Sequence, residues 1–218
     1  MTDSGETPRP YHHGDLRVAM LEAAERILER LGIPGLTLRA AAREAGASHA
    51  APKNHFGDLS GLLSDLAAVG FTRFAAGMRT AADAETTPQG RLDAIGRAYV
   101  AFAVANPALF QLMFRGERLD AARPALRDAM REAFGELSGA IGAARHEPAG
   151  TQPALVVTAR MVGAWSLVHG FAMLLLDGRL APVLERLQPG TDAMALLDMV
   201  LRRDDGGPPG ARKADHDE

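Results

Sequence analysis

The stretch TLRAAAREAGASHAAPKNHFGD, residues 37–58, decides the fold of this chain. Thr37 offers a side-chain oxygen that can cap a first helix, and Gly46 is placed to end that helix. Ser48 offers a second cap for a short helix over residues 49–56. The pattern therefore predicts two short helices joined by a tight glycine turn.

Longer helices flank this pair. Before it, apolar residues recur three or four positions apart, which predicts an amphipathic helix that Gly32 and Pro34 end. The expected inward face of that helix is Leu16, Met20, Ala23, Ile27 and Leu31. After the pair, a periodic run extends to Asp83, and its apolar side is Leu59, Leu62, Leu63, Leu66, Phe74 and Met78. The first three helices form a helix–turn–helix unit, whose last helix has the size to enter a DNA major groove.

The rest of the chain is also predicted to be helical, because strand-type alternation is rare and Ala and Leu dominate. Pro or Gly separates the expected helices, which cover residues 91–105, 107–114, 124–144, 153–176 and 192–202. We therefore predict an all-α fold of about nine helices, with an N-terminal three-helix domain and a larger C-terminal helical bundle. The expected divisions are an arm and helix–turn–helix domain at 1–57, a ligand-binding and dimerisation domain at 58–203 that begins with a connecting helix at 58–83, and a disordered tail at 204–218.

Composition excludes several classes of protein. The chain has no Cys, which rules out disulfide frameworks, thiolate metal sites and cysteine nucleophiles. No Walker loop, dinucleotide fingerprint, His-Glu-x-x-His pair or nucleophile elbow is present, so we expect neither an enzyme nor a cofactor. The net charge of −3 gives no global attraction to phosphate, so any contact with nucleic acid must depend on local geometry.

No segment is expected to enter or cross a membrane. Residues 1–9 are polar and acidic, and they lack the apolar core of a secretory signal. The most apolar stretch begins at Met161 and ends at Leu176, which is shorter than the roughly 20 residues that a helix needs to cross a bilayer. We therefore expect a cytoplasmic protein in which this stretch is a buried core or interface helix.

The second short helix carries the residue types that read base edges. We expect Ala51 and Phe56 to face the protein and Pro52 to fall within the first turn, where its missing N–H has no effect. The expected exposed side chains are His49, Ala50, Lys53, Asn54 and His55. An Asn side chain pairs bidentately with adenine, and a Lys reaches guanine or a phosphate. The alternative is an ordinary helical hairpin that never contacts DNA.

Several stretches resemble a known family. Residues 11–17 (YHHGDLR), 36–48 (LTLRAAAREAGAS) and 55–58 (HFGD), together with Leu62-Leu63, resemble the DNA-binding half of TetR-family transcriptional regulators. Residues 165–170 (WSLVHG) are similar to the Trp-x-x-x-His-Gly signature of one TetR-type C-terminal domain. The resemblance implies a homodimer in which a small molecule bound in the second domain changes the spacing of two N-terminal readers.

The resemblance also implies roles for individual residues. Thr37 and Ser48 would hold phosphates, Arg39 would lie near the DNA backbone or a groove edge, and His55 would lie against a phosphate. The residues implied to face the DNA are His49, Ala50, Lys53 and Asn54. Two positions depart from the usual pattern, since Lys53 stands where most members have Tyr and Leu59 stands where most have a phosphate-contacting Lys.

The N-terminal arm has two possible interpretations. Residues 9–13 either lie over the DNA backbone or reach the minor groove, or else they form a frayed tail whose Tyr11 packs on the first long helix. The neighbouring His12 and His13 are not expected to bind a metal, because adjacent side chains diverge around a helix and no further ligand lies at suitable spacing.

The apolar stretch at 161–176 also predicts how the chain assembles. It is apolar on nearly all sides, so one side is expected to meet the chain's own core and the other a second copy of the chain. The segment that begins at Asp192 and ends at Arg202 is the expected companion in a four-helix dimer interface. A twofold dimer would present paired readers to a palindromic operator on double-stranded DNA.

A ligand pocket is predicted in the second domain. Its expected lining is apolar and deformable, as suits a small hydrophobic effector, and consists of Tyr99, Phe102, Phe110, Met113, Phe114, Met130, Phe134, Trp165, His169 and Met173. Alternatively, these residues are simply core. His169 is then hydrogen-bonded to backbone, and Gly170 allows two helices to approach closely.

Taken together, these features predict a homodimeric one-component repressor that a small apolar effector releases from its operator. The alternative is a helical carrier of lipids or small molecules that keeps a reader-like hairpin without reading DNA.

Overall fold

The computed structural model describes residues 13–48, 51–144 and 154–202. Within these ranges the protein is all-helical, with ten α-helices and one 3₁₀ turn at Gly116–Arg118. The α-helices are α1 (His13–Gly35), α2 (Leu38–Glu44), α3 (Ala51–Phe56), α4 (Leu59–Asp83), α5 (Pro88–Ala105), α6 (Pro107–Met113), α7 (Pro124–Ala144), α8 (Ala154–Leu176), α9 (Ala181–Leu184) and α10 (Ala193–Arg202). The predicted all-α class is confirmed, and the short α9 is the helix that the sequence pattern does not reveal. The arm at residues 9–12 and the tail at 204–218 lie outside the described residues.

Helix α1 buries most of its predicted face. Met20, Ala23 and Ile27 are at most 2% exposed, and Gly32, with φ 67° and ψ −176°, ends the regular helix where predicted. Leu31 is wrong as a core residue, because its side chain is 61% exposed. At about 100° per residue, Leu31 lies about 60° around the helix from Leu16, at the edge of the apolar stripe.

The conformation of the turn after α2 depends on Gly46, which ends the helix as predicted. Gly46 has φ 66°, its N–H donates to the Arg43 carbonyl, and the Ala47 N–H donates to the Ala42 carbonyl. These two bonds are those of a Schellman motif, in which a residue in the left-handed region ends a helix. At the other end of α2, Thr37 Oγ1 accepts a hydrogen bond from the Ala40 N–H at 3.1 Å, as the predicted cap requires.

Helix α3 is described from Ala51 to Phe56. The predicted helix covers residues 49–56, and its first two residues lie outside the described part of the chain. The described part agrees with the predicted helix through Phe56. The cap by Ser48 stays a prediction.

Helix α4 joins the two ends of the molecule. Asp58 Oδ1 caps it by accepting from the Gly61 N–H at 2.8 Å. One face of α4 contacts α1, and the rest is wrapped by α5, α6 and α7. Its buried side chains include Leu62, Leu66 and Phe71, each at most 1% exposed. Helix α4 therefore contacts both the helix–turn–helix unit and the C-terminal bundle.

Helix α8 has its predicted extent but is more exposed than its apolar sequence suggests. The whole helix has 23 residues and is long and apolar enough, by length and composition only, to cross a membrane, whereas the stretch 161–176 is shorter than a span. Val168, Phe171 and Ala172 are buried against the bundle. The opposite side leaves three large apolar residues in solvent, namely Leu155, Val162 and Leu174, and Val157 is exposed as well.

Candidate nucleic-acid interface and effector pocket

The predicted reading residues lie on the outside of α2 and α3. Lys53 and Asn54 are exposed on α3, and Thr37 and Arg39 are exposed at the start of α2. Ser48 is exposed and His55 is half-buried. His49 and Ala50 lie outside the described residues. The structure thus places the described members of the predicted set on and beside α2 and α3, the two helices of the helix–turn–helix.

The inward side of α3 is held by packing. Pro52 is buried and Phe56 is 2% exposed, as predicted for Phe56. The guanidinium carbon of Arg17 on α1 lies 5.9 Å from the centre of the Phe56 ring, within cation–π distance. Gly57, with φ 79°, then ends the helix. Helix α3 is therefore anchored along the side opposite Asn54, and Lys53 is exposed beside the anchored side.

An ion-pair cluster holds α2 against α1. Glu44 accepts two hydrogen bonds from Arg30, at 2.6 and 3.1 Å, and one from Arg26 at 3.1 Å. The hydrogen bonds from Arg30 are the main reason that the pKa of Glu44 falls to about 2. Glu44 is the only acid between residues 37 and 56, and it is turned toward α1. Arg39, Arg43 and Lys53, all exposed, therefore make the reading surface locally basic.

A buried carboxylate connects α1, α4 and the segment that precedes α7. Asp65 on α4 is 2% exposed, and its carboxylate accepts from Arg17 Nη2 at 2.8 Å and from Arg123 Nε and Nη2, both at 2.9 Å. Arg123 also donates to the carbonyl oxygen of Phe56, the last residue of α3, at 3.5 Å. The hydrogen bond to Asp65 is the main cause of the raised pKa of Arg123. We call Arg17, Asp65, Arg123 and Phe56 the Asp65 junction.

Small residues of α4 make this junction possible. A Cβ on Gly61 would lie 2.0 Å from the carbonyl oxygen of Phe56, so only glycine fits there. Ser64 Oγ donates to the Ser60 carbonyl and accepts from the Asp120 N–H, both at 2.7 Å. The segment before α7 is therefore bonded both to α4 and to the end of α3, and this contact was not apparent from the sequence.

The Trp-x-x-x-His-Gly signature forms a hydrogen-bonded trio with α5. Trp165 Nε1 donates to the Tyr99 hydroxyl at 3.2 Å, and that hydroxyl lies 2.8 Å from His169 Nδ1. His169 is thus bonded to a side chain, not to backbone as its core interpretation assumed. Burial raises the pKa of Tyr99 and lowers that of His169. Within this chain a Cβ on Gly170 would meet no atom within 4 Å, so Gly170 does not serve a close helix approach here.

Aromatic rings surround the trio. Phe114 lies 4.6 Å from the His169 ring, Phe110 lies 5.6 Å from it, and Phe134 lies 5.1 Å from the Trp165 ring, measured between centroids. The cavity among these rings measures only about 10 Å³, which is about the space for one water. The residues that line it are Phe71, Phe74, Met78, Tyr99, Phe114, Ala133, Phe134, Leu137 and Trp165.

The predicted pocket set is therefore only partly assembled around this cavity. Phe102 and Phe110 join the cluster through ring contacts. The predicted methionines pack elsewhere in the core and do not line the cavity, namely Met113, Met130 and Met173. The predicted set lacks the α4 side of the cavity, Phe71, Phe74 and Met78, because the sequence predicts α4 as a connecting helix. Their helical spacing on its apolar face was the available signal.

A larger cavity lies between α5, α7, α8 and α10. Its volume is about 210 Å³. The α5 residues that line it share one face at intervals of three and four, and the full lining is Gln89, Leu92, Asp93, Gly96, Leu137, Ala144, Ala164, Leu167, Val168 and Leu201. None of these residues was in the predicted pocket. Among the residues that the structure describes, no group of His, Asp and Glu is arranged to hold a metal ion.

The family assignment follows from comparison with known proteins. The profile of the family described as "Tetracyclin repressor-like, C-terminal domain" matches residues 92–203, about half of the chain. The chain belongs to the TetR family of transcriptional regulators. A structure of a protein with unknown function from Rhodococcus sp. RHA1 is 34% identical, with a TM-score of 0.70, and the match covers 89% of this chain and 98% of that one.

More distant TetR-like structures share the fold. The TetR-family regulator PfmR of Thermus thermophilus is 17% identical, with a TM-score of 0.55 over 84% of this chain and 97% of its own. The transcriptional regulator FadR of Bacillus subtilis, solved in complex with stearoyl-CoA, is 15% identical, with a TM-score of 0.62 over 85% of this chain and 95% of its own. A search of curated protein sequences gave no match. The predicted resemblance to TetR-family regulators is therefore confirmed.

Proposed function

We propose that this TetR-family regulator is a cytoplasmic homodimeric repressor that binds a palindromic operator and is released by a small, largely apolar effector. The observation that carries the proposal is the basic surface of α2 and α3, where Arg39, Lys53 and Asn54 are exposed. Both helices are held on the protein by contacts with α1, through Glu44 of α2 and Phe56 of α3. Phosphate contacts from basic side chains position a protein on DNA, and base-edge contacts specify the sequence.

The proposed contacts divide into these two kinds. Asn54 pairs with adenine in the major groove, and Lys53 reaches guanine or a phosphate. Arg39 lies against the DNA backbone. The remaining members of the proposed surface are Thr37, Ser48, His49, Ala50 and His55. Thr37 Oγ1 accepts a hydrogen bond from the Ala40 N–H and so caps α2. In the proposed complex, the Thr37 hydroxyl and the backbone N–H groups at the start of α2 contact a phosphate.

The proposed dimer uses the outer faces of α8 and α10. Leu155, Val162 and Leu174 of α8 are between 43% and 79% exposed, and Met199 of α10 is 60% exposed. Large apolar patches on a soluble protein mark interaction surfaces, and a twofold interface places the same patch on both copies. Such a dimer would set its two readers about one helical turn of DNA apart, roughly 34 Å.

The effector response is proposed to act through spacing. FadR, which shares the fold, was solved with a bound acyl-CoA, which supports small-molecule binding in this architecture. The Asp65 junction supports a route from the bundle to α3, because Arg123 contacts both α4 and the end of α3. Operator and effector then weaken each other's binding by the same factor.

The experiment is a gel shift with the DNA that flanks the gene for this protein, at low salt, against scrambled DNA of equal length. Selective retardation of the flanking DNA supports a regulator. Equal or absent retardation supports the alternative, a carrier that keeps the hairpin without reading DNA, for which the half-buried Leu59 in place of a phosphate-contacting Lys is the specific argument.

A further inference from the structure

We infer that the cavity between α5, α7, α8 and α10 is the effector site, and that it takes a small apolar molecule carrying one ammonium group. The inference rests on the proposed function, and it differs from the aromatic pocket that the sequence predicts. The aromatic cavity holds about 10 Å³ and its polar atoms are bonded to one another, whereas this cavity measures about 210 Å³. Since the aromatic cavity has space for about one water, the larger of these two cavities is the one with room for an organic molecule.

The lining is apolar except at one place. Most of the wall is aliphatic, from Leu92, Leu137, Leu167, Val168 and Leu201. Among the described lining residues the polar side chains are Gln89 and Asp93, which lie one helical turn apart on α5 and so occupy the same end of the cavity. Binding sites for small molecules combine an apolar wall with a few such convergent polar groups, which fix the orientation of the ligand.

The two polar groups offer more acceptors than donors. One N–H of Gln89 Nε2 donates to Asp93 Oδ1 at 2.9 Å, which leaves one amide N–H to donate, and the Gln89 carbonyl oxygen and the rest of the Asp93 carboxylate to accept. A carboxylate and an amide oxygen match the three donors of an ammonium group. They repel the carboxylate of a fatty acid, so the arrangement selects for charge as well as for shape.

The charge of Asp93 is not neutralised by a described cation. The nearest arginine along α5 on this side, Arg97, is committed to Asp198 of α10, with Nη1 to Oδ1 at 3.3 Å, and to Glu85, with Nη2 to Oε1 at 3.7 Å. Arg91 pairs with Asp83 at 2.8 Å. Within the described part of the chain, Asp93 has only its hydrogen bond from Gln89. A ligand ammonium would therefore supply the missing counter-charge in a partly desolvated place.

The position of the cavity connects ligand binding to the proposed dimer. Its wall includes Val168 of α8 and Leu201 of α10, the two helices whose outer faces form the proposed interface. A Cβ on Gly96 would lie 3.0 Å from Leu201 Cδ2, so α5 and α10 are closely packed beside the empty space. A molecule that fills the cavity can shift α8 and α10 relative to α5, and with them the spacing of the readers.

The test is calorimetric titration of the full chain, without DNA, with three probes of matched shape: phenethylamine, phenethyl alcohol and phenylacetate. We expect phenethylamine to bind about tenfold or more tightly than the other two, as a charge-assisted hydrogen bond implies. Asp93→Asn should reduce its affinity to that of the alcohol. The matched control Asp128→Asn, an exposed carboxylate of α7 that pairs locally with Arg131, should leave the affinity unchanged.

A second pair of variants tests which of the two cavities binds the amine. Ala164→Phe fills the proposed site and should abolish binding of phenethylamine, whereas Phe134→Leu, at the aromatic cavity, should not. The inference is wrong if the amine binds no more tightly than the alcohol, if Asp93→Asn leaves its affinity unchanged, or if Phe134→Leu abolishes binding and Ala164→Phe does not. Gel shifts keep the two proposals distinguishable: selective DNA retardation without amine preference overturns this inference alone, and amine preference without DNA retardation overturns the proposed regulator alone.

Discussion

Replacing Arg123 with Ala should destabilise the protein far more than the loss of an ordinary surface arginine. Asp65 is 2% exposed, and Arg123, which is 26% exposed, supplies two of the three hydrogen bonds that its carboxylate receives from arginines. Breaking a buried ion pair by removing one partner costs about 3–5 kcal/mol, because the remaining charge stays buried. Arg17 remains in place and is 43% exposed, so water can reach that side of the junction.

These opposing effects place the expected loss at about 2–3 kcal/mol in the free energy of unfolding. For a chain of this size, that corresponds to a fall in melting temperature of roughly 4–12 °C. The assay is urea unfolding of the full chain, followed by circular dichroism, with denaturation midpoints compared at constant slope.

Arg91→Ala is the matched control. Arg91 pairs with Asp83 at 2.8 Å, yet the two side chains are 42% and 61% exposed, so its loss should cost about 1 kcal/mol or less. If Arg123→Ala is no more destabilising than Arg91→Ala, the Asp65 junction does not hold the two ends of the molecule together. The Arg123→Ala variant should also bind operator DNA more weakly, since Arg123 contacts the carbonyl oxygen of Phe56 at the end of α3.

Two further predictions concern the C-terminal bundle. Burial lowers the pKa of His169 below its ordinary value of 6.5. Below about pH 6.5, His169 therefore binds a proton more readily in the unfolded chain than in the folded chain. The free energy of unfolding should fall as the pH falls through that value. His169→Gln should reduce this slope in melting temperature against pH, and an unchanged slope would contradict the assignment. Leu174→Arg, at an α8 residue that is 44% exposed, should give monomers by sedimentation with the helical content retained, and an intact dimer would place the interface elsewhere.

The sequence was most informative where local rules act alone. Thr37 and Gly46 begin and end α2 as predicted, because capping and a positive φ depend on a few neighbouring residues. Leu31 was misplaced because an apolar residue at the edge of a stripe is not distinguished by spacing alone.

Contacts between distant segments could not be predicted from the sequence. Asp65 and Arg123 are 58 positions apart, and no local pattern marks a carboxylate on an apolar helix as the partner of two arginines. The trio of Tyr99, Trp165 and His169 was half visible, since the last two lie one turn apart on α8 while Tyr99 arrives from α5. The larger cavity depends on the relative placement of four helices, which periodicity does not determine.

The measurement that bears most directly on DNA reading compares Asn54→Ala with Arg39→Ala, using gel shifts on a selected operator and on scrambled DNA. Loss of a base contact should lower the affinity of Asn54→Ala for the operator and leave its affinity for scrambled DNA unchanged, which relaxes the specificity. Loss of a phosphate contact should weaken Arg39→Ala on both DNAs alike and reduce its dependence on salt. Equal losses in the two variants on both DNAs would contradict the assignment of α3 as the helix that reads bases.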